Sequence, residues 1–333
     1  MRLVQIQHEH LGRRVAIVLE PKLIIINGHN SIYELATTCI EKKLNISNLV
    51  QDNLSDQTLD YDTIYDGTSE WELLPSFDHP SDVTKLMLAG TGLTHKASAE
   101  NRQKMHKAVA ESELTDSMKM YMMGVEDGHP EPGKIGVQPE WFYKGNGSVL
   151  KAHNEYLSIP LYGDDGGEEP EVAGVYIIDS KGKPWRIGFT TCNEFSDHVM
   201  ERKNYLYLAP SKIRNCSIGP ELVIIEDFKD ISGKVSVLRD SKILWEQNIK
   251  TGEDNMSHSL KNLEYHHFKY NNHCIPHTAH IHFFGADAFS FGDQITLAHD
   301  DIMIVEWQGM GRPIRNRLQH IEGPEEIIDM GIL

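Results

Sequence analysis

Cysteine is scarce in this chain and never closely spaced. Four occur in 333 residues, at Cys39, Cys192, Cys216 and Cys274. No CxxC pair exists, which sets aside a zinc ribbon and a thioredoxin-like motif. Scattered thiols of this kind fit a reducing compartment better than a disulfide framework. Basic charge is also short: 32 Lys and Arg stand against 49 Asp and Glu, a net charge of −17. Nucleic acid, which needs a basic surface, is therefore not an expected partner. Nor is an acidic membrane surface. No apolar stretch approaches the length of a membrane span, and MRLVQIQHEHLGRR lacks the apolar run of a signal peptide. The expected location is cytoplasmic. GxGxxG, GKS/T, HExxH and GxSxG are all missing, although Gly90-Thr91-Gly92 follows a strand-like run. A small anionic substrate stays open, because a bound divalent cation and a few buried lysines can invert the local potential.

What remains is an ordinary globular composition, 40% hydrophobic and 24% charged. Its length suits one large domain or a large domain with a small one. Short apolar runs (MRLVQIQ, RRVAIVLE, KLIIIN) and the Ser31-capped helix SIYELATTCIEKK predict a small N-terminal α/β unit over residues 1–80. NISNLVQDNL reads as a second helix and SDQTLDYDTIYDGTSE as a polar connection. Two prolines in EWELLPSFDHPSDV mark a boundary near residues 75–85. From residue 86 to 333 strands dominate: LMLAGTG, KAHNEYLSIPL, EVAGVYII, WRIGFTT, ELVIIEDF, KVSVLRD, KILWEQNI, AHIHFFG and DDIMIVEWQG. Helices are expected at SAENRQKMHKAVA and MSHSLKNLEYHHFKY, and VEDGHPEPGKIGVQPE reads as a loop. The pattern predicts an α+β, β-rich sandwich or roll.

Three carboxylates carry the chemical signal. Glu169 and Glu171 stand at i and i+2 in GGEEPEVAGVYII, so a strand would project both to one face. A tight turn at Lys181-Gly182-Lys183 would then return the chain, with Glu194 of TTCNEF beside the pair. Clustered carboxylates repel unless a cation lies among them. Oxygen ligands alone favour Mg²⁺, with Mn²⁺ or Ca²⁺ as alternatives, over zinc. The same spacing fits three solvated hairpin charges, and spacing alone leaves both readings open. His280 and His282 share a strand face in HTAHIHFF, but no third ligand is placed by spacing. Lys212 in YLYLAPSKIR reads either as a buried, paired amine or as a surface lysine. Lys144, after three aromatics in WFYKGNG, reads as a cation beside an aromatic wall or as a snorkelling side chain.

Taken in order, LMLAGTGLTHKASAENR, QPEWFYKGNGSVL, GGEEPEVAGVYIIDSKG, CNEFSDHVMERKNYLYLAPSKIRNCSIGPELV, RDSKILWEQN and TGEDNMSHSLKNL resemble the fumarylacetoacetate hydrolase superfamily from about residue 86 onward. Within it the chain is most similar to bacterial members associated with sugar-acid catabolism. Around PSKI and the Glu-Pro-Glu motif it is similar to the 2-keto-3-deoxy-arabinonate dehydratases. The resemblance implies a mixed β-sandwich roll, often dimeric, and a Mg²⁺ site on Glu169, Glu171 and Glu194, where the family more often has Asp at the third position. It also implies a substrate-facing Lys212, a polar Glu201 near the site, and substrate contacts from Thr94, Lys144 and Ser98. The superfamily's C–C hydrolases carry a water-activating histidine where this chain has Ser98; His95 lies one helical turn away. That departure favours a lyase. The expected activity is dehydration of a 2-keto-3-deoxy sugar acid, such as 2-keto-3-deoxy-L-arabinonate, with Lys212 or Glu201 as base. The rivals are a hydrolase of a 2,4-diketo-3-deoxy sugar acid and a non-enzymatic sugar-acid binding protein.

Overall fold

The computed structural model describes residues 1–106 and 115–333. The chain opens with Arg2–His8 (β1), Gly12–Leu19 (β2) and Lys22–Ile26 (β3), then helices Ile32–Lys42 (α1) and Ile46–Asp52 (α2). Leu54–Asp60 (β4), Tyr61–Tyr65 (α3) and Trp71–Leu73 (β5) complete this part. Helix α1 starts where the Ser31 hydroxyl accepts the Glu34 N–H, buries Ile32, Leu35, Ala36 and Cys39, and stops at Lys43, whose φ is 55°. Next come Leu86–Gly90 (β6), Lys96–His106 (α4), Asp116–Asp127 (α5), Phe142–Asn146 (β7), Leu150–Lys151 (β8) and Tyr156–Ile159 (β9). The central hairpin is Pro170–Ile178 (β10) and Pro184–Asn193 (β11), followed by His198–Lys203 (α6), Leu208–Lys212 (α7) and Cys216–Val223 (β12). Ile231–Arg239 (β13), Lys242–Thr251 (β14), Leu260–Phe268 (α8), Ala279–Phe283 (β15), Ile302–Trp307 (β16) and Ile314–His320 (β17) finish the fold.

Two sheets result. The larger runs β4-β3-β2-β1-β12-β11-β10-β15-β6-β7, with β5 on β1 and β8 on β12; the smaller runs β14-β13-β16-β17-β9. Most pairings are antiparallel, but β15 with β6, β12 with β8 and β17 with β9 are parallel. The fold is thus the expected strand-rich α+β arrangement. The core between the sheets centres on Phe189 and Phe228, stacked with ring centroids 4.8 Å apart, and on Phe284, 5.3 Å from Phe228. Trp307 of β16 is buried and donates its indole N–H to the Glu171 carbonyl at 3.0 Å, tying the smaller sheet to β10.

Several local expectations are corrected. LSDQTLD forms β4, a largely exposed edge strand whose polar composition concealed it, and Tyr61–Tyr65 folds as α3 rather than as connection. KAHNEYLSIPL divides into β8 and β9 around a turn. Helix α5 extends into the stretch taken as loop. Strand β17 gave no signal, since Arg315, Arg317 and Gln319 alternate with the inward Ile314, Asn316 and Leu318. Of the helix expected over 98–110, residues 107–110 lie outside the described residues.

The expected N-terminal unit is joined to the rest by β1, where Arg2 pairs with Val223 and Leu3 with Leu222. Leu3 is fully buried and shares a cluster with Cys192, Leu222 and Ile281. Replacing Leu3 by Ala should cost about 2–5 kcal/mol. Because that cluster spans both parts, urea unfolding should remain a single shifted transition. A biphasic curve with the second step unmoved would show that residues 1–80 fold apart from the rest.

Candidate metal centre

Glu169, Glu171 and Glu194 converge at one end of the central hairpin. The ladder pairs Pro170 with Asn193 and Glu171 with Cys192, and the Glu194 N–H donates to the Glu169 carbonyl at 2.9 Å. The turn allowing this return contains Gly182 at φ +81°. All three glutamates are buried, and one oxygen from each falls within 4.8 Å of the others. The reading of three solvated charges is therefore set aside.

Two lysines reach into the cluster. Lys212, at the end of α7, places Nζ 2.6 and 2.8 Å from the two Glu169 oxygens, 2.7 Å from Glu194 Oε2 and 3.0 Å from Ser196 Oγ. Its ammonium also lies 4.8 Å from the centre of the Phe142 ring. Lys144 of β7 places Nζ 2.6 Å from Glu194 Oε1 and donates to the carbonyls of Glu194 and Phe195. His198 Nε2 stands 3.0 Å from Glu169 Oε1, its ring stacked on Phe289. Glu171 differs from its neighbours. It accepts the Gly285 N–H at 2.7 Å, and among the described residues no cationic side chain forms an ion pair with it.

The electrostatics follow from these contacts. Burial alone would weaken the Lys212 proton, but the charges of Glu169 and Glu194 outweigh it and hold the ammonium above its ordinary range. Burial would raise Glu169, yet Lys212 and then His198 pull it well below the usual carboxylate range. Glu171 is pushed well above that range by burial, then by the like charges of Glu194 and Glu169. Burial also raises Glu194 despite its two lysines. Lys144 is lowered, chiefly by burial.

A second buried network, not foreseen from the sequence, adjoins the first. Arg102 of α4 donates Nη1 to both oxygens of Glu140, at 2.9 and 2.8 Å, and its Nε lies 2.6 Å from Glu201 Oε1. Tyr205 donates to Glu140 at 3.0 Å. Glu201 and His198 are three apart on α6 and so share a face, one meeting Arg102 and the other Glu169. The glycine of GTG explains the close approach: a Cβ on Gly92 would lie 1.9 Å from Glu140 Oε2.

Among the other predicted residues, Thr94 is buried and donates to the Phe284 carbonyl at 2.6 Å, packed beside Gly285 and so close to Glu171. Ser98 is buried one helical turn before Arg102. Among the described residues neither hydroxyl bonds to the glutamates. His95 Nδ1 meets Thr94 Oγ1 at 2.9 Å, and burial lowers the imidazole to about 4. His280 and His282 hold no metal arrangement. His280 Nδ1 lies 3.0 Å from His267 Nε2 and His282 Nε2 lies 2.7 Å from Thr91 Oγ1. Among the described residues the glutamates are the one grouping of three ligand-type side chains that could hold an ion.

The donor set fits a hard divalent cation. It offers three convergent oxygens without thiolate or imidazole, and one carboxylate, Glu171, that forms no ion pair with a side chain among the described residues. The longer arm of Glu194, compared with the family's usual aspartate, still brings its oxygen into the group.

Comparison with known proteins finds the same fold elsewhere. The solved structure of a 2-keto-3-deoxy-D-arabinonate dehydratase complexed with magnesium and 2,5-dioxopentanoate matches with a TM-score of 0.72, at 18% identity, over 97% of this chain and 100% of that one. A 5-carboxymethyl-2-hydroxymuconate delta-isomerase from Mycobacterium smegmatis gives 0.59 at 14% identity, over 97% and 100%. The chain shares the fold of these proteins, in keeping with its resemblance to the fumarylacetoacetate hydrolase superfamily. Two curated proteins are also similar in sequence over part of the chain. The 2-dehydro-3-deoxy-D-arabinonate dehydratase of Saccharolobus solfataricus is 28% identical over 122 residues, 35% of this chain and 40% of that protein. A probable 2-keto-3-deoxyxylonate dehydratase of Haloferax volcanii is 29% identical over 121 residues, again 35% and 40%. The chain thus spans about 40% of the length of the curated relatives it matches. No family model matches it. Among the described residues no helix is long and apolar enough to cross a membrane.

The raised Glu171 has a measurable sign. Above the ordinary value of 4.5, and until its own higher pKa is reached, folded Glu171 keeps a proton that the unfolded chain has lost. Its contribution to stability therefore falls as pH rises through that window, by up to about 1.4 kcal/mol per pH unit in metal-free protein. Denaturant titrations at several pH values should show Glu171→Gln lacking this slope; identical slopes in the two proteins would mean that Glu171 ionises freely.

Proposed function

We propose that this protein is a divalent-metal-dependent hydro-lyase that dehydrates a 2-keto-3-deoxy sugar acid, such as 2-keto-3-deoxy-L-arabinonate or its D counterpart, to the semialdehyde of 2-oxoglutarate. The observation that carries the reading is the convergence of three buried glutamates around a buried lysine. The dehydratase names of its relatives support it, as does the magnesium and keto acid held by a protein of the same fold. The cation is assigned as Mg²⁺ with Mn²⁺ or Ca²⁺ as substitutes, held by Glu169, Glu171 and Glu194. Bound there, it would act as a Lewis acid toward a 2-keto carboxylate and favour ionisation at C3.

The chain's own residues supply the rest. Lys212 is clamped by Glu169 and Glu194, so it serves as a base only when those carboxylates are engaged elsewhere and its proton affinity falls. It then takes a C3 proton. The C4 hydroxyl leaves as water after gaining a proton, so the two transfers balance and one amine can serve both. The elimination leaves a C3=C4 double bond conjugated with the C2 ketone; transfer of a proton from C5 to C3 turns it into a C4=C5 enol, which tautomerises to the C5 aldehyde. Glu201, held by Arg102, is the second candidate base. Lys144 fixes Glu194 from the opposite side to Lys212 and adds positive charge for an anionic substrate. Thr94 and Ser98 are assigned to the substrate wall.

Lys212→Met should lower kcat by about 10²- to 10⁴-fold with KM little changed, and wild-type turnover would remove Lys212 from proton transfer. Chelation should silence the protein and Mg²⁺ or Mn²⁺ restore it, with Glu171→Gln beyond rescue; activity indifferent to chelator would overturn the metal assignment. Products of a panel of 2-keto-3-deoxy acids, read by mass, decide the reaction. Substrate minus one water supports the lyase, pyruvate plus a second acid shows the hydrolase, and bound but unchanged acid shows a binding protein.

A further inference from the structure

The segment after β17 stands apart from the rest of the surface. Residues 321–333, IEGPEEIIDMGIL, form no helix or strand, and Ile327, Ile328, Met330, Ile332 and Leu333 are between 75% and 125% exposed. Five large apolar side chains held in water within seven residues make a patch that seeks cover. The segment is also wholly acidic, with Glu322, Glu325, Glu326 and Asp329 and no Lys or Arg. Extended, thirteen residues reach about 40 Å.

A groove of matching character lies elsewhere on the molecule. Between α1 and β11, a cavity of about 410 Å³ is floored by Ala36, Cys39, Ile40, Ile46 and Ile187 and walled by Trp185. A second cavity of about 400 Å³ continues it along the hairpin turn, sharing Ile40, Lys43 and Trp185. On a chain of net charge −17, the rim is cationic, carrying Lys43, Lys181, Lys183 and Arg186. Of its acidic neighbours, Asp179 accepts from the Lys181 and Lys183 N–H groups and from the Trp185 indole, and Glu264 pairs with Arg186, which leaves Glu41 as one acidic residue on a rim of four cationic ones. Among the described residues Lys43 and Lys181 form no ion pair.

We propose that the segment 321–333 docks in the α1–β11 groove of a second copy of this chain, its isoleucines on the apolar floor and its acidic residues against Lys43 and Lys181. The segment leaves from β17, beside β9 in the smaller sheet, whereas the groove lies on the larger sheet, and within one copy the segment stays off the body. Two copies exchanging segments satisfy both grooves at once, a closed two-fold arrangement. The exchange is independent of the catalytic reading.

Hydrogen exchange on the full chain, at two protein concentrations a hundred-fold apart, tests this. At the higher concentration the amides of 321–333 and of α1 should both slow by about ten-fold. Ile327→Asp with Ile328→Asp should abolish both effects, as should Lys43→Glu with Lys181→Glu; these are exposed side chains, and an unchanged circular dichroism spectrum verifies the fold. Combining the lysine reversals with Glu325→Lys and Glu326→Lys should restore them. Exchange independent of concentration overturns the proposal, whether the segment is always free or always covered by its own copy. Protection of the segment that survives the lysine reversal overturns it as well, by placing the contact on another surface.

Discussion

Mutual repulsion among three buried carboxylates is the constraint on which the site is built. Removing Glu169, Glu171 and Glu194 from water is costly for each charge, and bringing them together adds to the cost. The protein offsets this unevenly. Lys212 bridges Glu169 and Glu194, Lys144 holds the far side of Glu194, and His198 supports Glu169. Glu171 receives a backbone N–H and no counter-charge. Three positive groups gather on two of the carboxylates, and the deficit is local to Glu171, which has no ion-pair partner among the described residues. A hard divalent ion is the simplest group that completes the arrangement.

Around that deficit, layers of support have distinct tasks. The hairpin delivers the ligands, because two strands with a short turn can superpose residues 169 and 194 in space. Helices α6 and α7 bring a histidine, a glutamate and a lysine over the end of the hairpin. The Arg102 fork, fixed at Glu140 and Glu201, anchors α4 to α6 and to the loop before β7. Its planar geometry suits two carboxylates at once, which an ammonium would not match. Glycines at 92 and 285 let these layers approach within distances that any side chain would prevent.

The parts of this arrangement legible in the sequence are those written in short-range pattern. Glu169 and Glu171 show themselves through a period of two, and Glu194 through a hairpin whose turn residues are explicit. Strand β10 is buried throughout, and from Val172 to Ile178 it is an uninterrupted apolar run. Lys212 and Lys144 stood out by local context with their burial left open, Thr94 and Glu201 came through family resemblance, and it is the structure that shows Lys212, Lys144 and Glu201 in buried ion pairs. The Arg102–Glu140 pair stayed hidden because its members lie 38 residues apart and neither belongs to a periodic pattern. Strands β4 and β17 stayed hidden for a different reason: at a sheet edge or beneath a polar face, tertiary pairing overrides composition. The histidines of β15 lacked a third ligand by spacing, and the structure gives them other partners, His267 for His280 and Thr91 for His282.

The indole of Trp307 gives the smaller sheet a voice in the chemistry. It rests in the hydrocarbon interior, yet its one polar hydrogen is spent on the main chain of Glu171. Phenylalanine there would fill much of the volume and strand an amide oxygen in a dry place. An effort to harden the molecule against heat by repacking β16 will therefore meet a residue that resists exchange because it holds the backbone of Glu171. Thermal endurance and the placing of the glutamates are coupled at a side chain that no inventory of groups touching the cluster's oxygens would include.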